Sequence, residues 1–134
     1  MNANPEKKKA LIEGLNEDLA HEYQAVMMYT TYAAMASGIH RPLLKEFFES
    51  EIADELGHAQ FLAQKITALG GTPTTSVKPV EVTDDAREML QNVLQAESDT
   101  VKRYVERRNQ AEEAEDYGLA VDLDEIISDE TSHK

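Results

Sequence analysis

A chain of 134 residues has the length of one domain. Its 26 Asp+Glu against 13 Lys+Arg leave a formal net charge of −13, which argues against nucleic-acid binding and against docking on anionic membrane. Cysteine is absent, which excludes disulfides, thiolate metal sites and cysteine nucleophiles; no apolar run approaches the ~20 residues of a spanning helix, no signal-peptide core follows the N-terminus, and a cytoplasmic protein is the expectation.

Glycine and proline cluster, and the clusters divide the chain. Asn4-Pro5 reads as a helix cap followed by proline in the first turn. Ser37 to Pro42 reads as a short loop. Gly70 to Val82 is a longer connection rich in breakers, and Thr83-Asp84-Asp85 starts another helix with acid in its first turn. Glu115 to Gly118 is the last break. Between the breaks the apolar period is helical: Leu11, Leu15, Leu19, Val26, Tyr29, Ala33; then Leu44, Phe48, Ile52, Ala59, Leu62, Ile66, Leu69; then Leu90, Leu94, Val101, Tyr104; then Leu119, Leu123, Ile126, Ile127. The expectation is a single domain over 1–134 with helices at about 5–36, 42–69, 83–112 and 117–133. This is an all-α, antiparallel four-helix bundle with one long crossover connection and a short or truncated fourth helix.

Each apolar stripe is interrupted by groups that do not belong in a core. Glu22 falls between Leu19 and Val26, and Glu97 between Leu94 and Val101. Glu55 and His58 follow Ile52, and Glu130 and His133 follow Ile127. A buried carboxylate is costly unless it is neutralised or partnered. No lysine or arginine stands out on the same faces, so a metal is the expected source of positive charge. Glu55 with His58, and Glu130 with His133, are i, i+3 neighbours that can offer one oxygen and one nitrogen to an ion.

An internal repeat strengthens this reading. An offset of 75 residues carries Glu22, Asp54, Glu55 and His58 onto Glu97, Asp129, Glu130 and His133. It also carries Leu15, Leu19, Val26, Tyr29 and Ile52 onto Leu90, Leu94, Val101, Tyr104 and Ile127. A lone Glu-x-x-H is weak on a glutamate-rich helix; a second at the same offset, with matching partner glutamates, is specific. Two helical hairpins related by a pseudo-two-fold axis would then bring six ligands together at mid-bundle. Asp54 and Asp129 lie about 100° round the helix from the ligands, on the solvated rim. Tyr29 and Tyr104 are core aromatics by spacing, and each stands where it could hydrogen-bond the carboxylate of the opposite hairpin. His21 and His40 read as surface residues, and Met27, Met28 and Met35 as ordinary packing.

The constellation resembles the ferritin-like di-iron carboxylate proteins, whose one Glu from each of two helices and Glu-x-x-His from each of the others is a known bundle motif. It is most similar to the bacterioferritin branch, from Leu15-Asn16-Glu17-Asp18-Leu19-Ala20-His21-Glu22 through His133. The resemblance implies that Glu22, Glu55, His58, Glu97, Glu130 and His133 hold two iron ions, with Mn or Zn as substitutes. It implies a ferroxidase that oxidises Fe(II) with O2 or H2O2 for iron storage or detoxification, in a homo-oligomer that is a dimer or a larger shell. Leu56 stands where bacterioferritins carry the haem-ligand methionine, so no haem is expected. Thr100 stands where rubrerythrins carry an additional glutamate, which counts against that branch; a rubrerythrin-like peroxide reductase, or another di-iron or di-manganese oxidoreductase, is the alternative. His133 is the penultimate residue, so the fourth helix should stop where family members continue.

Overall fold

The computed structural model describes residues 4–132. Among them the chain forms α1 (Pro5–Met35), α2 (Arg41–Ala68), α3 (Ala86–Glu113) and α4 (Tyr117–Ser132). Short loops return α2 along α1 and α4 along α3, and α1 lies against α3. The expected four-helix bundle with one long crossover is the observed fold. No helix of the described residues is long and apolar enough to cross a membrane.

Local chemistry sets the helix ends. The Asn4 side chain accepts a 2.7 Å hydrogen bond from Glu6 N, and Pro5 sits in the first turn, where an N–H is not needed. The loop after α1 turns at Gly38, with φ 83°. Arg41 secures that turn, its guanidinium donating to the carbonyls of Ala34, at 3.3 Å, and Ala36. These belong to the carbonyls that a helix C-terminus leaves without intrahelical partners. α3 begins at Ala86, later than Thr83, because Asp85 is the cap: its carboxylate accepts from Glu88 N at 3.1 Å. Thr83 instead folds a tight turn before the cap, its hydroxyl accepting from Asp85 N. The last break falls at Ala114 to Asp116, with Glu115 at φ 62° and the Asp116 carboxylate accepting from Leu119 N.

The crossover is pinned along α1. Asn16 exchanges hydrogen bonds with Thr72 O (3.1 Å) and Thr74 N (2.8 Å), Gln24 donates to Pro79 O (2.6 Å), and Tyr32 donates to Glu81 O (2.6 Å). These side chains recur every eighth residue, so they follow one face of α1 over about 24 Å. The connection therefore traverses the bundle as a strap, which lets α3 start at the opposite end from where α2 stops.

The core is two clusters. Leu11, Leu15, Leu19, Leu62, Ile66, Tyr104, Ala111, Leu119, Leu123 and Ile126 draw on all four helices. Met28, Tyr29, Tyr32, Leu44, Phe48, Met89 and Val93 draw on α1, α2 and α3 alone. Fully burying each such leucine or phenylalanine favours folding by about 1.5–3 kcal/mol. The expected stripe on α3 is corrected here. Leu90 and Leu94 are 41% and 55% exposed, and Met89 and Val93 face the core in their place. Among the described residues, α4 does not reach this part of α3. Arg108 and Asp124 form a 3.0 Å ion pair that marks a common level on α3 and α4. Eight residues further on, the described part of α4 ends at Ser132, level with Thr100, so α3 upstream of that point has no described α4 neighbour. Of the methionines, Met28 packs in the core, whereas Met27 and Met35 are exposed.

Candidate metal centre

The site lies between the two clusters. α1 contributes Glu22, α2 contributes Glu55 and His58, and α4 contributes Glu130, all buried. One ligand-type atom from each lies within 4.8 Å of the others. His58 Nδ1 faces inward, 3.2 Å from Glu130 Oε1, 3.4 Å from Glu22 Oε2 and 4.0 Å from Glu55 Oε2. Despite that proximity, neither His58 Nδ1 nor Glu130 Oε1 finds hydrogen-bond geometry within the protein. Tyr104 of α3 donates its hydroxyl proton to Glu22 Oε2 and stands edge-on to the His58 ring.

Electrostatics shows what the cluster lacks. Burial raises the Glu55 pKa far above the usual carboxylate range, and neighbouring Glu22 and Glu130 push it further, so the site favours the protonated form of Glu55. Burial works the same way on Glu22, but the close approach of Glu55 and His58, the His58 charge and the Tyr104 hydroxyl outweigh it and lower the Glu22 pKa. Burial opposes a charge on His58, yet its contacts with Glu130 and Glu22 and their charges push its pKa up to about 10. Of these four side chains His58 alone can carry a positive charge, set against three carboxyl groups. A divalent cation fits that setting, because the donor set is carboxylate oxygen and imidazole nitrogen aimed at one point.

Of the remaining sequence-predicted ligands, Glu97 is buried on α3 but does not join the four-residue group, and His133 lies outside the described residues. Tyr29 is buried beside Glu97. Burial raises its pKa, and the charges of Glu97, Glu55, Glu51 and Glu130 add to the rise. Asp54 and Asp129 are exposed. Asp129 shares with Asp122, Glu125, Phe61 and Ile126 an acidic groove that reaches His58. His40 is exposed, and His21 is half-buried with its ring 3.1 Å from Gln24.

Three buried charged residues escaped the sequence reading. Arg107 is 3% exposed and Asp18 2% exposed, so a cation does lie inside the bundle. Arg107 Nε donates to Asp18 Oδ2 at 2.8 Å and Nη2 to Asp18 Oδ1 at 3.1 Å, a bidentate pair; Nη1 donates to Gln110 Oε1 at 2.6 Å. Glu51 is buried one turn before Glu55. The signal was helical spacing: Gly14, Asp18 and Glu22 recur every fourth residue, and Tyr104, Arg107 and Ala111 follow one face.

The profile of the Ferritin-like domain matches residues 12–134, and the chain belongs to the ferritin-like family. A bacterioferritin of Brucella melitensis is 28% identical over 124 residues, covering 92% of this chain and 77% of that protein. A ferritin-like, diiron-carboxylate protein of Bacillus anthracis superposes with a TM-score of 0.94 at 53% identity, covering 97% of this chain and 94% of that one. The bacterioferritin of Rhodobacter capsulatus, a structure with haem iron and a metal-free dinuclear site, gives a TM-score of 0.84 at 25% identity over 99% of this chain and 81% of that one.

Proposed function

We propose that this protein is a ferroxidase of the bacterioferritin type, with Fe(II) and O2 or H2O2 as substrates and iron storage or detoxification as its purpose. The observation that carries this reading is the convergence of Glu22, Glu55, His58 and Glu130 on one buried point that needs positive charge. Glu97 and His133, at the repeat-equivalent positions of Glu22 and His58, complete a set of six for two ions. The dinuclear site of the R. capsulatus relative and the diiron-carboxylate class of the B. anthracis relative support the choice of iron. Two iron ions side by side supply the two electrons that reduce O2 to peroxide.

The side chains have separable tasks. His58 presents Nδ1 and the glutamates present oxygen, a donor set that tolerates both iron oxidation states. Tyr104 fixes Glu22 through its hydroxyl. Metal binding must displace the protons on Glu55 and His58, which leave to solvent. The acidic groove past Asp122, Glu125 and Asp129 favours the approach of cations to His58. Exposed Met27, Leu43 and Leu56 on α1 and α2 offer apolar surface for a second copy in a dimer or shell.

Stopped-flow absorbance after mixing with Fe(II) in air tests the reading. Glu55→Ala and Glu130→Ala each abolish the fast oxidation phase, with helical circular dichroism retained. Unchanged rates in both variants contradict it. Consumption of H2O2 without accumulated ferric mineral would point to the peroxide reductase alternative.

A further inference from the structure

The six-ligand arrangement reads as symmetric, but its supports are not. Glu22 sits on a ladder between α1 and α3 whose rungs are Glu22–Tyr104 and, one turn away, Asp18–Arg107. The repeat-equivalents of Asp18 and Arg107 are Val93 and Tyr32, which pair no charges and belong to an apolar cluster. Gly14 is part of the device. A Cβ there would lie 2.0 Å from Arg107 Nη1 and 2.3 Å from Cζ, so only glycine lets the guanidinium pass close to α1 and reach Asp18 with two nitrogens. Tyr104 and Arg107 are one turn apart on α3, as Asp18 and Glu22 are on α1. A bidentate pair fixes both distance and angle. It therefore fixes the register of α1 on α3 at the place where Tyr104 must meet Glu22 Oε2, the oxygen 3.4 Å from His58 Nδ1.

We infer that Asp18 and Arg107, with Gly14 making room, are positioning residues that hold Glu22 toward His58, so that this half of the centre is preorganised and takes its cation first. The inference rests on the two-metal reading of the site. It makes the two metal positions unequal in a chain whose ligands repeat.

Anaerobic titration with Co(II), followed by its visible ligand-field bands, tests it. The wild type binds two Co(II) in sequence, the first at least tenfold more tightly. Asp18→Val/Arg107→Met replaces the pair with apolar groups of similar volume, a change that bundles tolerate. In that variant the first constant weakens at least tenfold, its spectrum changes, and the second constant stays within threefold. Gly14→Ala, which displaces Arg107 alone, weakens the first constant in the same direction and guards against a misfolded double variant. Met89→Ala, at the apolar end, lowers the melting temperature and leaves the first constant unchanged. Helical variants that keep wild-type constants overturn the inference, as does an equal loss in Met89→Ala, which would mark a general stability effect. A wild type that binds no Co(II) removes the two-metal reading itself.

Discussion

At one end of the bundle, Gly14 and Asp18 of α1 face Arg107 of α3, and α4 closes the core over them with Leu119, Leu123 and Ile126. At the other end, their repeat-equivalents Met89 and Val93 of α3 lie with Tyr32 of α1 in a core to which no described residue of α4 contributes. One end is a four-helix bundle clamped by a buried ion pair. At the other, the described core residues come from α1, α2 and α3 and the crossover straps them, with the Tyr32 hydroxyl tying Glu81 O and Asn92 together. The candidate metal centre lies at the boundary. Repetition of ligands thus does not imply repetition of what holds them: the duplicated hairpins share the inward glutamates and differ in the residues one and two turns away.

The largest effect that would break this comparison is removal of one partner of the clamp. Arg107→Met leaves the Asp18 carboxylate buried and unpaired, and destabilises the fold by about 3–5 kcal/mol in urea unfolding, whereas Asp18→Val/Arg107→Met recovers most of that loss. If the single and double variants unfold alike, the pair is not a clamp. Next come the repeat-equivalent leucines. Leu19 is 0% exposed and Leu94 is 55% exposed, so Leu19→Ala costs about 2–5 kcal/mol and Leu94→Ala no more than about 0.5 kcal/mol. Equal losses would mean that both ends are covered alike.

A further effect is a pH dependence confined to the clamp. Burial pushes Asp18 up to about 6 from its ordinary 3.8, and Arg107 offsets only part of the rise. The same carboxylate raises the Arg107 pKa against its burial, so the arginine stays charged. Because the folded pKa of Asp18 exceeds the unfolded one, the folded state binds more protons between these values. Stability relative to Asp18→Asn therefore grows as pH falls from about 6 towards 3.8, and is level above that window. Unfolding of both proteins at several pH values measures it, and a relative stability that instead rises with pH would reverse the sign.

The fold was legible because the breakers cluster and the apolar period between them is helical. Four of the six residues the repeat pointed to, Glu22, Glu55, His58 and Glu130, come together in the structure, while Glu97 stands outside that group. What stayed hidden depended on neighbours. Leu90 and Leu94 are the more apolar choice on α3, yet Met89 and Val93 are inside, because the described residues of α4 do not extend along that part of α3. Arg107 reads as a surface residue until Asp18 and the bare Gly14 backbone are seen opposite it. Glu51 shares the Glu55 face one turn earlier, but the half-buried Ile52 drew the stripe instead.

The most direct measurement is the stoichiometry of anaerobic Fe(II) binding to wild type and to Glu130→Ala. The account predicts two tightly bound Fe(II) per chain in the wild type and loss of that tight binding in a folded Glu130→Ala protein. Stoichiometric Fe(II) binding unchanged by Glu130→Ala, or no tight binding in the wild type, would contradict it.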